Sequence, residues 1–230
     1  MNNKQAWLTV VVFATAMAWV ESSVVFYLRT MIDRIQPYQA PPLPEFGGLG
    51  LAEVVRELAT LLMLATIGLL AGKNTKSRFG YFLIAFGVWD IFYYVFLKLL
   101  TGWPSSMTDW DLLFLIPLPW WGPVWAPVSI ACLMISWGTL VTQNDKSEFP
   151  NWRIVSLNLL GGILAFYVFM ADAIQVSLVG GNLREMLPRS FNLPLFVVAW
   201  WLMAMPVLIA ILRLRKRSSG SCAALLEKPS

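Results

Sequence analysis

Six stretches of about twenty apolar residues, separated by short polar connections, dominate this sequence: 6–28, 51–71, 81–100, 125–141, 154–179 and 195–212. Each is long enough to cross the hydrocarbon core of a bilayer as a helix. Hydrophobic residues make up 58% of the 230 and charged residues 13%, against about 25% charged in soluble domains. No soluble interior of this size hides six such runs. The sequence therefore predicts an all-α polytopic membrane protein, a single bundle over 1–217 followed by a flexible cytoplasmic tail over 218–230. The bilayer itself is the first partner.

The first run has a competing reading as a signal peptide. Lys4 precedes it, and Ala14-Thr15-Ala16-Met17-Ala18 has small residues at cleavage spacing. Apolar character resumes at Val24, Phe26 and Leu28, which favours a retained span. Pro206, inside the sixth run, is expected to bend that helix.

Basic residues set the orientation. With six spans and a cytoplasmic N-terminus, the cytoplasmic set is Lys4, Lys73, Lys76, Arg78, Lys146, Arg153, Arg213, Arg215, Lys216, Arg217 and Lys228. Only Arg29, Arg34, Lys98, Arg184 and Arg189 fall outside, with Arg56 inside a span. The positive-inside rule then places both termini in the cytoplasm of a cell whose inner membrane holds the chain.

Between the third and fourth runs, 103–123 is too apolar for an ordinary loop and too broken by Pro117 and Pro119 to span. It reads as a re-entrant or interfacial segment. Ser105 and Ser106 ahead of Asp109 resemble a capping box, which predicts a short helix there. Trp103, Trp110, Trp120, Trp121 and Trp125 suit a belt at headgroup level.

Several chemistries drop out. The chain has no histidine, which removes His-ligated haem, His-based zinc hydrolysis, Ser-His-Asp triads and His proton relays. Cys132 and Cys222 fall in a span and the tail, so no disulfide is expected. Neither a Gly-rich phosphate loop nor a nucleophile elbow is present, and no cofactor is expected. The net charge of +4 is spread between apolar runs, so nucleic acid is not an expected partner.

The acidic residues are the most informative. Ten of the thirteen (Glu21, Asp33, Glu45, Glu53, Glu57, Asp90, Asp109, Asp111, Asp172 and Glu185) fall near mid-membrane or toward the outer side. The positive-inside rule does not produce that bias. Glu21 sits beside Ala14, Ala18 and Ser22, whose spacing admits a close neighbour, with Arg29 two turns on along nearly the same face. Glu53, Arg56 and Glu57 share a face of the second span. Asp90, Tyr94 and Lys98 form a stripe on the third, and Asp172 interrupts the fifth. A charge at mid-bilayer costs about 2.5–3.5 kcal/mol on insertion scales, so these groups should face the bundle interior or water.

The candidate polar site is thus Glu21, Arg29, Glu53, Arg56, Glu57, Asp90, Tyr94 and Asp172, opening outward with an aromatic rim. Its residues are compatible with binding or transport of a cation, proton or small amphipathic solute, with selective transport calling for a homo-oligomer. Paired carboxylates beside Arg29, Arg56 or Lys98 equally suit an enzyme acting on a lipid or lipid-linked substrate at the outer leaflet. A third reading is a non-catalytic subunit or assembly factor whose buried charges only fix helix pairing.

Overall fold

A computed structural model describes residues 2–32, 47–144, 151–181 and 191–226. The expectations on Asp33, Arg34, Glu45, Arg184, Glu185, Arg189 and the last four residues of the tail lie outside the described residues. Among the described residues there are six helices: α1 (Asn3–Met31), α2 (Gly47–Ala71), α3 (Thr75–Thr101), α4 (Trp125–Gln143), α5 (Trp152–Leu178) and α6 (Leu193–Leu226). All six are long and apolar enough to cross a membrane, α6 over Leu193–Arg213. The chain is an all-α polytopic membrane protein.

Local chemistry sets the helix ends. Asn2 and Gln5 close a reciprocal capping box at the start of α1, and Asn74 and Ser77 do the same for α3. Gly102, with φ of 76°, ends α3 in the left-handed conformation that glycine adopts without strain. Lys98 turns back over this end, its Nζ donating to the Gly102 carbonyl at 2.9 Å.

Helix α3 is the hub, packing against α1, α2 and α4, while α5 and α6 form a second pair. Its contact with α4 depends on glycine. A Cβ on Gly87 would lie 2.6 Å from the Ala131 carbonyl oxygen, and one on Gly138 would lie 2.5 Å from that of Gly80. The seven-residue spacing of Gly80 and Gly87, met by Ala131 and Gly138, lets two backbones approach over two helical turns. On α1, Ala14, Ala18 and Ser22 are fully buried, and Ser22 Oγ donates to the Tyr93 carbonyl of α3 at 3.0 Å. The outward faces carry Leu8, Val12, Val20, Leu62, Leu69, Leu99 and Ile163, an apolar surface suited to lipid.

The segment between α3 and α4 departs from expectation. Instead of a short helix after Ser105, it forms an antiparallel hairpin of β1 (Trp110–Phe114) and β2 (Trp120–Pro123). Asp109 explains the difference. Its Oδ2 accepts from Ser105 N (2.7 Å), Ser105 Oγ (2.8 Å) and Ser106 N (3.2 Å), which closes a loop and starts no helical turn. The hairpin base is tied by Val124 N to the Asp109 carbonyl and Trp125 N to that of Met107.

Of the re-entrant and interfacial alternatives, the hairpin takes the re-entrant form and runs back along the helices. Phe114 meets Phe86 and Trp89, well inside α3, and Trp120 meets Phe166, well inside α5. Gly122 passes so close to α5 that a Cβ would come 2.7 Å from the Phe169 ring. Trp103 and Trp121 are buried, and Trp125 packs edge-on against Phe191 and Phe196. Trp103 and Trp121 thus belong to the core, while Trp110, Trp120 and Trp125 are partly buried.

Candidate functional site

Non-helical backbone at membrane depth is tolerated only where protein or enclosed water satisfies its polar groups. The hairpin turn is such a place, and α2 supplies the partner. Glu57, buried, accepts the Leu115 amide with both oxygens, Oε1 at 3.0 Å and Oε2 at 2.9 Å. The apolar turn at 115–119 is therefore held by a carboxylate one helix away.

About two turns of the α2 face around Glu57 belong to one network. Arg56 donates through Nε (3.0 Å) and Nη2 (2.8 Å) to Glu53 Oε2, three residues back. Its Nη1 pairs with Glu21 Oε1 of α1. Thr60, one turn further along α2, donates to Glu21 Oε2 at 3.1 Å. A guanidinium with its fork between two carboxylates offsets much of the desolvation cost of all three charges.

A second group lies toward the open end of the hairpin. Arg29 is two turns beyond Glu21 on α1, about 12 Å along the axis. Its Nη2 donates to Asp111 Oδ1 of β1 at 3.1 Å, an ion pair with side chains 10% and 1% exposed. The guanidinium also lies over the Trp103 ring, 4.5 Å from its centre. Tyr94 of α3 is buried beside Asp111. Trp89, Tyr93, Tyr94 and Trp103 form a continuous aromatic tier along this side.

Asp90 completes the cluster, one turn of α3 deeper than Tyr94. It lies within electrostatic reach of Asp111 and Tyr93. Its Oδ2 is buried without a hydrogen-bond partner, whereas the Asp111 carboxyl has the Tyr94 hydroxyl beside it as a donor. The indole Nε1 atoms of Trp89 and Trp120 are likewise buried and unbonded. At the hairpin mouth, burial opposes ionisation of Asp109, but the hydrogen bonds from Ser105 and Ser106 and the charge of Lys98 outweigh it. The Asp109 carboxyl is held below its usual range.

Of the sequence candidates, Glu21, Glu53, Arg56 and Glu57 come together at one level, and Arg29, Asp90 and Tyr94 join them through the hairpin. Asp172 is half-buried on α5, whose packing neighbours are α6 and β2. Lys98 leaves the Asp90–Tyr94 stripe to cover the end of α3. The residue the sequence did not single out for the site is Asp111. Its signal was the pattern Trp110-Asp111-Leu112, which as a strand places the acid on the opposite face from its bulky neighbours. Among the described residues no three carboxylates gather closely enough to hold a metal ion.

No protein-family model matches the chain, and comparison with curated proteins and with solved structures likewise finds no match.

Proposed function

We propose that this protein binds or transports a cation or proton at an intramembrane site that opens on the hairpin side of the bundle. The observation that supports it is a charge imbalance. Around the hairpin, Glu21, Glu53, Glu57, Asp90 and Asp111 bring five carboxyl groups to two guanidiniums, Arg29 and Arg56. An uncompensated buried charge costs several kcal/mol, so the surplus acids call for positive partners from solution. The positive-inside rule turns the hairpin side outward, with both termini in the cytoplasm of the inner membrane.

The lipid-enzyme reading is less well supported. It needs a free cation to hold a phosphate, whereas Arg29 is engaged by Asp111 and Trp103, and Arg56 by Glu21 and Glu53. Lys98 is bonded to the Gly102 carbonyl.

Thermal unfolding of the purified protein in detergent tests the proposal, since a ligand that binds only the folded state raises Tm. Protons, alkali and alkaline-earth cations and organic ammonium ions form the panel. At least one is expected to raise Tm in a concentration-dependent way in the wild type and not in Asp90→Asn. A Tm indifferent to every cation and to pH would contradict it.

A further inference from the structure

We infer that the end of the bundle opposite the hairpin is a docking surface for anionic phospholipid headgroups, carried by Lys4 of α1, Lys73 of the α2–α3 turn and Arg153 of α5. It is independent of the cation reading above, which concerns the other end, and holds for either orientation of the chain.

Charge is segregated along the bundle. Every described carboxyl group, Glu21, Glu53, Glu57, Asp90, Asp109, Asp111 and Asp172, lies at mid-bundle or toward the hairpin. The opposite end carries Lys4, Lys73, Lys76, Arg78, Arg153 and Arg213 and no described carboxyl group. In the sequence, the segments that continue this end add Asp145, Glu148 and Glu227, but also Lys146, Arg215, Lys216, Arg217 and Lys228. The excess positive charge at this end is therefore matched by anions from outside the chain.

Named contacts bring the cations together. Tyr81 Oη and Gln143 Nε2 donate to the Asn3 carbonyl at 3.2 and 3.0 Å. Lys4 is the next residue on α1, and Arg78 precedes Tyr81 by about one turn of α3. Helices α2 and α3 meet in a tight turn. A Cβ on Gly72 would strike the Arg78 backbone, and Arg78 Nε donates to the Gly72 carbonyl at 3.3 Å, which sets Lys73 at the same level. On the other helix pair, Asn158 Nδ2 donates to the Met203 carbonyl at 3.0 Å. Arg153 and Arg213 both lie beyond that bond, away from the hairpin. Val207 packs with Trp137 and Val141, which joins this part of α6 to the same end of α4.

The surroundings identify the partner. Lys4, Lys73 and Arg153 are exposed. They stand where membrane-spanning helices end, which is the level of the headgroups. Two of the basic residues here adjoin exposed rings: Phe79 follows Arg78 and is 48% exposed, and Trp152 precedes Arg153 and is 70% exposed. An apolar ring at the acyl boundary with a cation reaching the phosphate is the pairing a lipid interface rewards. A zwitterionic headgroup brings its own ammonium and leaves the excess charge unmatched, so the surface selects headgroups of net negative charge.

Spin-labelled lipids in vesicles holding the full chain test this. The host lipid is phosphatidylcholine, the probes are labelled phosphatidylglycerol and labelled phosphatidylcholine, and the readout is the share of each label immobilised by the protein. One lysine near an anionic headgroup is worth about a fivefold preference, so the wild type is expected to favour labelled phosphatidylglycerol by about that factor or more at low salt. The preference should fall away at about 1 M salt, where the screening length is about 3 Å. It should be largely lost in Lys4→Gln/Lys73→Gln/Arg153→Gln and kept in Lys98→Gln at the hairpin end. Should the triple variant fail to fold, each single variant is expected to lower the preference, and three singles without effect overturn the inference. Equal immobilisation of the two labels in the wild type also overturns it. So does a preference that survives the triple variant, or one that vanishes in Lys98→Gln.

Discussion

Single residues carry most of the cost of placing a hairpin inside a membrane bundle. Glu57 offers the sharpest case, since the Leu115 amide donates to both oxygens of that carboxylate. Removing the acceptor leaves a buried amide unsatisfied, at about 1–3 kcal/mol. Glu57→Ala is therefore expected to lower unfolding stability by that amount and to speed hydrogen exchange at Leu115, whereas Glu57→Gln, which keeps one acceptor, should lose less. The Arg29–Asp111 pair predicts a different pattern. Arg29→Met strands a buried carboxylate at about 3–5 kcal/mol, and adding Asp111→Leu should recover most of that loss, because an apolar pair has no charge to strand. A double-mutant cycle of Tm values checks both. Residue types told which groups must be inside: Glu21, Arg56 and Asp90 stood out in the sequence because charge is expensive in apolar runs. Partners were not legible, because Glu57 pairs with a backbone amide 58 positions away and Asp111 with an arginine 82 positions away.

At the scale of elements, the helices were readable and the hairpin was not. Hydropathy located all six runs to within a few residues of α1–α5 and of the spanning part of α6, because the bilayer rewards length and apolarity directly. The 103–123 segment defeated the same logic. Its prolines and short apolar run excluded a span, but a serine pair before an aspartate supports a helix cap and a closed loop equally well, and only tertiary contact with α3 and α5 selects the hairpin. Asp109 governs that choice and predicts a pH effect. Its folded-state carboxyl lies below the usual range, so its contribution is present above that range and lost as the pH falls through the folded value. Protection of the Ser105 and Ser106 amides, taken relative to their intrinsic exchange rates, is expected to fall on acidification, and Asp109→Ala should abolish the dependence. The α3–α4 contact makes a steric prediction: Gly138→Val places carbon against the Gly80 carbonyl and should cost about 1–3 kcal/mol by overpacking, or force the helices apart. Disulfide trapping between cysteines on the two helices would register the separation.

Over the whole molecule, the polar network and the hairpin occupy one end of the bundle and the capped starts of α1 and α3 the other. At that other end Tyr81 Oη and Gln143 Nε2 both donate to the Asn3 carbonyl, and Trp7 Nε1 donates to Thr139, joining α1, α3 and α4. The basic residues Lys4, Lys73, Lys76 and Arg78 lie at that end too, and this is the basis for proposing that the hairpin faces outward. In a background with Cys132 and Cys222 replaced by serine, an impermeant thiol reagent applied outside is expected to label Ser106→Cys and to leave Lys73→Cys untouched until the membrane is opened. The reverse pattern would turn the site toward the cytoplasm. The sequence supports an expected orientation through its charge count, and the clustering of acids near one end was visible too. What could not be read was that the cluster assembles around a hairpin, since no local pattern encodes the meeting of three helices and a strand.

On the proposed function, surplus buried carboxyls at the hairpin end take up a positive charge from solution. The most direct test of that uptake is dissipation of an imposed proton gradient, with parallel cation gradients, in vesicles containing the purified protein. Wild-type vesicles are expected to collapse at least one of these gradients faster than protein-free vesicles, with Asp90→Asn reducing the rate about tenfold or more. Wild-type vesicles as tight as empty ones to every cation, or an Asp90→Asn variant as fast as wild type, would contradict it.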